Sequence, residues 1–132
     1  MLHLPAVWVV DDDADDLYLI ETAFRRITPP VAIKLLTDGE DLLACLQKAF
    51  ELPRLVLLDL NMQGMNGFEA LKRIRSVPAY QRVSIVILTT SDGEEDKCKS
   101  LSLGANGFLT KPSSFQGFLT MLRQLATDWA LQ

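Results

Sequence analysis

Histidine and cysteine are almost missing from this chain of 132 residues: there is one His and there are two Cys. His3 sits beside the N-terminus, and Cys45 and Cys98 stand alone with no C-x-x-C spacing. That scarcity excludes a structural zinc site and a His-based catalytic triad, so any metal must be a hard one held by oxygen. The isolated cysteines fit reduced core thiols of a cytosolic protein. No apolar run approaches the ~20 residues of a membrane span. Met1–Pro5 has no basic stretch leading into a long apolar one, so no secretory leader is expected. Basic charge is also in deficit, with 13 Lys+Arg against 17 Asp+Glu, which argues against a general nucleic-acid-backbone binder.

The acidic surplus is concentrated. Five acids, Asp11, Asp12, Asp13, Asp15 and Asp16, fall within six residues, and without them 12 acids face 13 bases. Hydrophobic content of 48% and charged content of 23% are those of an ordinary globular domain, and the length suits one domain spanning residues 1–132.

Strand-length apolar runs alternate with helical patterns five times. The strands are expected at Ala6–Val10, Val31–Leu36, Leu55–Leu58, Val83–Leu88 and Gly107–Leu109. Near-continuous apolar runs fit parallel strands covered on both faces. Helical spacing links Leu17, Ile20, Phe24 and Ile27, then Leu42, Leu43, Leu46 and Phe50, then Phe68, Leu71 and Ile74. Cys98, Leu101 and Ala105 mark a fourth helix, stopped at Gly104, and Phe115 to Trp129 a fifth, with Ser113 and Gln116 as its capping box. This (βα)5 alternation implies a doubly wound α/β sandwich, whose functional edge lies at the carboxyl ends of the strands.

That rule gathers Asp11–Asp13 after the first strand, Asp59 after the third, Thr89 and Thr90 after the fourth and Lys111 after the fifth. Two carboxylates ~4 Å apart repel by roughly 4 kcal/mol at an effective dielectric of 20. Bringing Asp11, Asp12 and Asp59 together therefore calls for a cation or a proton, and hard oxygen ligands suit Mg²⁺. A carboxylate nucleophile, a metal and a lysine together suit phosphoryl transfer through an acyl phosphate. Asp13, Asp15 and Asp16 are read instead as acids that complement the dipole at the start of the first helix. Gly67 is expected to serve the turn into the third helix.

The stretches VVDDD ending at Asp13, LLDLNMQGMNG around Asp59, VILTTS around Thr89 and GANGFLTKP ending at Pro112 resemble a two-component response regulator receiver domain, CheY-like, over essentially the whole chain. Four motifs in register make a specific match. The resemblance implies a flavodoxin-like five-stranded parallel sheet in the order 2-1-3-4-5. It implies that Asp59 accepts a phosphoryl group from a phosphohistidine on a sensor histidine kinase or histidine phosphotransfer protein. Mg²⁺ would be held by Asp11, Asp12, Asp59 and the backbone carbonyl of Asn61, with Asp12 favoured as the direct ligand. Lys111 and Thr89 would contact the phosphoryl group. Thr89 and Phe108 would form the switch that reshapes the face of the fourth helix, fifth strand and fifth helix. Asn61 and Ser91 would tune the phosphoryl lifetime, and Lys111–Pro112 would be a cis bond.

The resemblance also implies a cytoplasmic protein with a downstream protein partner and no nucleic-acid or membrane target, monomeric or weakly dimeric through that switch face. The TTS after the fourth strand and the late TDWALQ are similar to single-domain regulators that accompany phytochrome-type kinases; a receiver excised from a longer regulator is the alternative. Three residues depart from the family. Gln63 replaces a usual Pro, which predicts a looser loop; Thr90 replaces a small residue and would crowd Asp59. Phe108 lacks the hydroxyl of Tyr, which predicts an easier inward state. An aspartyl phosphatase would want a second Asp two residues after the nucleophile, where Asn61 stands. A flavodoxin-like cofactor binder would want a phosphate loop where Asp11–Asp13 repel phosphate.

Overall fold

A computed structural model of the chain describes residues 5–132; His3 and the other residues before Pro5, where no secretory leader is expected, lie outside them. Five strands, β1 (Val7–Val10), β2 (Ile33–Leu36), β3 (Leu55–Leu58), β4 (Ser84–Thr89) and β5 (Gly107–Thr110), alternate with five helices. The helices are α1 (Ala14–Arg25), α2 (Gly39–Lys48), α3 (Gly67–Arg75), α4 (Glu94–Ser102) and α5 (Phe115–Asp128), with a 3₁₀ turn at Pro78–Tyr80 before β4. All pairings are parallel and the sheet order is β2-β1-β3-β4-β5, as the periodicity and the resemblance imply.

Successive side chains of a strand point to opposite faces, so two cores form from one sheet. Val7, Val9, Leu55, Leu57, Val86 and Leu88 pack against Leu17, Ile20 and Phe24 of α1 and Phe118, Leu119 and Leu122 of α5. Trp8, Val10, Val56, Leu58, Ile85 and Ile87 pack against Leu42 and Leu46 of α2 and Ala70, Leu71 and Ile74 of α3. Fully burying each such aliphatic side chain contributes about 1.5–3 kcal/mol before chain entropy is charged against it.

Helix starts are fastened by short polar side chains that take up the first free N–H groups. Asp13 caps α1 by accepting from Asp15 and Asp16, Asp38 caps α2 and Asn66 caps α3. The cap of α5 is Ser114, accepting from the N–H of Gly117 at 3.0 Å, one residue later than the Ser113–Gln116 box expected from the sequence. Gly67 differs from its expected role. Its need is not a special turn but closeness: a Cβ there would strike the Asp59 carbonyl and sit 2.8 Å from Leu60 Cα.

Three other expectations fail at helix ends and faces. Helix α2 stops at Lys48 because Ala49 is extended (φ −67°, ψ 128°), which throws Phe50 into solvent at 97% exposure. Helix α4 does not turn Cys98 and Leu101 inward; both are exposed, and its one buried residue is Ser100, whose hydroxyl donates to the Asp96 carbonyl at 2.8 Å. Cys98 is therefore a surface thiol, and Cys45 is only half-buried. Helix α4 is instead pinned at its ends. Ser91 Oγ donates to Asp96 Oδ2 at 2.7 Å in front of it. Behind it, Arg75 of α3 donates to the Gly104 carbonyl and Asn106 Oδ1, each at 2.9 Å.

Candidate functional site

The carboxyl ends of β1, β3, β4 and β5 bring the acidic and basic residues together. Asp59 is held by the ladder bond from its N–H to the Val10 carbonyl (3.0 Å), and Asp11 by one to the Leu36 carbonyl (3.0 Å). Both side chains are buried, at 2% exposure for Asp11 and 5% for Asp59, whereas Asp12 and Asn61 are exposed at the rim. One carboxylate oxygen from each of Asp11, Asp12 and Asp59 lies within 4.8 Å of the others. An all-oxygen, triply anionic cluster with an open rim fits a hard divalent cation.

Lys111 is the counterweight. Its Nζ lies 2.6 Å from Asp11 Oδ2, 2.7 Å from Asp16 Oδ2 and 3.4 Å from Asp59 Oδ2. Its backbone N–H donates to the Thr89 carbonyl at 2.6 Å, which fixes where the side chain starts. Burial alone would lower the lysine pKa, but hydrogen bonds to Asp11 and Asp16 outweigh it and hold the ammonium firmly charged. Asp11 moves the opposite way. Burial pushes its carboxyl up to about 6, against the Lys111 contact and the Asp13 N–H that donates to it, with the Asp59 charge adding to the rise.

The remaining predicted residues divide. Thr89 is fully buried, and Asn61 Nδ2 reaches its Oγ1 at 3.5 Å, so the threonine hydroxyl stands on the site side of β4 while Thr90 is exposed. The Asn61 N–H lies 3.4 Å from Asp59 Oδ1. Among the described residues no hydrogen bond joins Ser91 to Asp59; its hydroxyl is engaged with Asp96 and with the Gly93 N–H. Phe108 is half-buried and packs against the α2–α3 core. Lys111–Pro112 is trans. The cis bond among the described residues is Thr28–Pro29. Three carboxylates and the Thr89 ladder bond already aim Lys111, so a trans link suffices.

Two participants escaped the sequence reading. Asp16, assigned to the helix dipole, turns out to be a direct partner of Lys111. Gln63, expected to loosen its loop, fastens it: having an N–H that proline lacks, it donates to Asp12 Oδ2 at 3.0 Å. Asp12, Asn61, Gln63, Asn66 and Phe68 border an open cleft of about 420 Å³ beside the acidic cluster.

Fold and site together define a doubly wound α/β protein with an acidic, lysine-countered pocket at the switch edge of its sheet. Residues 7–123 match the response regulator receiver domain, and the chain belongs to that family, the receiver domains of two-component signalling. It is 31% identical over 128 residues to the response regulator Rcp1 of Synechocystis sp., covering 93% of this chain and 87% of that one. It is 30% identical over 106 residues to protein PilH of Pseudomonas aeruginosa, covering 80% and 84%. Among solved structures, the phosphorylated cyanobacterial phytochrome response regulator RcpA superposes with a TM-score of 0.86 at 29% identity, covering 94% of this chain and 92% of that one. The Mn²⁺-bound form of Rcp1 superposes at 0.83 with 30% identity, covering 97% and 96%. No helix among the described residues is long and apolar enough to cross a membrane.

Proposed function

We propose that Asp59 is the phosphoacceptor of this receiver domain. An Asp59 oxygen attacks the phosphorus of a phosphohistidine on a sensor histidine kinase or histidine phosphotransfer protein. The P–N bond breaks, the phosphoryl group becomes an acyl phosphate, and the imidazole leaves with the bonding pair and takes up a proton. The observation that carries this reading is Lys111 Nζ set 3.4 Å from Asp59 Oδ2 inside a cluster of carboxylates. A lone strand-end acid would need no buried lysine and no acidic neighbours.

Asp11, Asp12 and Asp59, with the carbonyl of Asn61, would hold Mg²⁺, which when bound offsets the negative charge of carboxylates and phosphoryl oxygens. Lys111 offers N–H donors to those oxygens and Thr89 its hydroxyl. Asn61 in the place of a second acid leaves no general acid/base for outside phosphoesters, so the chain turns over only its own acyl phosphate, slowly. Thr89 and Phe108 form the switch toward the α4–β5–α5 face, and Asn61 and Ser91 tune the lifetime. Residues 1–132 act as one receiver unit in the cytoplasm, monomeric or weakly dimeric through that face, signalling to a protein rather than to nucleic acid or membrane. Incubation with acetyl phosphate and Mg²⁺ should add ~80 Da by intact mass, and Asp59→Asn should abolish the adduct. An unmodified wild type, or an adduct that survives the substitution, overturns the reading.

A further inference from the structure

Asp16 lies outside the cluster of Asp11, Asp12 and Asp59 that would hold a cation. Among the described residues its side chain hydrogen-bonds to Lys111 alone, at 2.7 Å. It projects from the first turn of α1, where a carboxylate needs only a favourable dipole, yet it reaches a lysine 95 positions away on β5's exit. The Lys111 ammonium has three N–H groups and three carboxylates to satisfy. Two approach closely, Asp11 and Asp16, while Asp59 at 3.4 Å is the weakest of the three.

A phosphoryl group on Asp59 brings new anionic oxygens that require one of those N–H groups. The partner that gives way is decided by burial. The Asp11 side chain is 2% exposed and cannot replace the lysine with water. That of Asp16 is 22% exposed and can. We propose that Asp16 is a positioning residue that holds Lys111 in reserve while Asp59 is unmodified and surrenders it to the phosphoryl oxygens, thereby setting the affinity of the site for a phosphoryl group. This rests on Asp59 being the phosphoacceptor.

The test is calorimetric titration with beryllofluoride, a tetrahedral phosphoryl mimic, at saturating Mg²⁺. Releasing the lysine in advance should make Asp16→Ala bind about three- to tenfold more tightly than wild type. Asp16→Asn, which keeps the shape and removes the charge, should also tighten. Asp16→Glu, which keeps the charge, should return within about twofold of wild type. A damaged fold weakens binding, so tightening separates the role from a structural one. Wild-type binding with neither neutral variant tighter overturns the role of Asp16 alone. A wild type that takes up no beryllofluoride overturns the phosphoacceptor reading and this role with it.

Discussion

Replacing Lys111 with methionine keeps most of the side chain's length and apolar contact and removes its charge. In the wild type the ammonium touches Asp11, Asp16 and Asp59, and its side chain is 5% exposed. Breaking a buried pair leaves uncompensated carboxylates and costs about 3–5 kcal/mol. For a domain of this size that corresponds to roughly 10–20 °C in melting temperature. The pH dependence distinguishes this account from simple loss of packing. The Asp11 carboxyl is raised from 3.8 to about 6, chiefly by burial. A raised folded pKa contributes stability that is fully present below the unfolded pKa and is lost as pH rises through the folded one. The shift corresponds to about 3 kcal/mol lost between those two pH values in the metal-free protein. Without Lys111 only the Asp13 N–H still opposes the upward push on Asp11, so its folded pKa climbs further and the loss with rising pH is larger. Thermal melts of both proteins in chelator should therefore show the gap at its widest near pH 8 and at less than about half that near pH 5, where Asp11 is mostly protonated. A gap that is equal at both, or wider in acid, refutes the reasoning.

Mg²⁺ at about ten times its dissociation constant should stabilise the protein by about 1.4 kcal/mol, read as a rise of several degrees in melting temperature; no shift at millimolar Mg²⁺ would count against the cluster as a metal site. Gly67→Ala would drive a Cβ into the Asp59 carbonyl and to 2.8 Å from Leu60 Cα. Overpacking of that kind costs about 1–3 kcal/mol, so the denaturant midpoint should fall, and the acetyl phosphate adduct should form more slowly because Asp59 itself is displaced. Gln63→Pro removes the N–H that orients Asp12 and should weaken Mg²⁺ binding about tenfold, whereas Gln63→Ala, which retains it, should not.

Most of the architecture was legible because each part carried its own local pattern. Leu55–Leu58 is an apolar tetrad followed at once by Asp59, and it forms β3 with those bounds. Asp11, Asp12, Thr89 and Lys111 were placed by the strand-end rule alone, and distance confirms that they share an edge. What stayed hidden depended on partners far away in the chain. A first-turn acid is favourable next to the helix dipole whether or not a lysine faces it, so only the tertiary contact with Lys111 separates Asp16 from Asp15. Helical periodicity ran on to Phe50 because spacing carries no mark of the backbone turning extended at Ala49. In α4 the apolar positions Cys98 and Leu101 suggested an inward face, yet the turn that meets the protein does so through Ser100, whose hydroxyl is satisfied within the helix itself. The Lys-Pro dipeptide permits either isomer, and its neighbours decide.

The light burial of α4 bears on how a chemical event at Asp59 could become a change of shape. Helices α1, α2, α3 and α5 are each welded to the sheet by several aliphatic side chains, and moving any of them would open voids in a dense core. Helix α4 has no comparable weld. It is attached at two points, Ser91 to Asp96 at one end and Arg75 to Gly104 and Asn106 at the other, with Lys99 Nζ resting 4.3 Å from the Phe68 ring centroid. An element fixed by hydrogen bonds at its hinges, rather than by apolar area along its length, opens at a lower local free energy than the rest of the fold. The forward hinge lies two residues beyond Thr89. A tug on the end of β4 is thus applied directly to the one helix that can yield without disturbing either core.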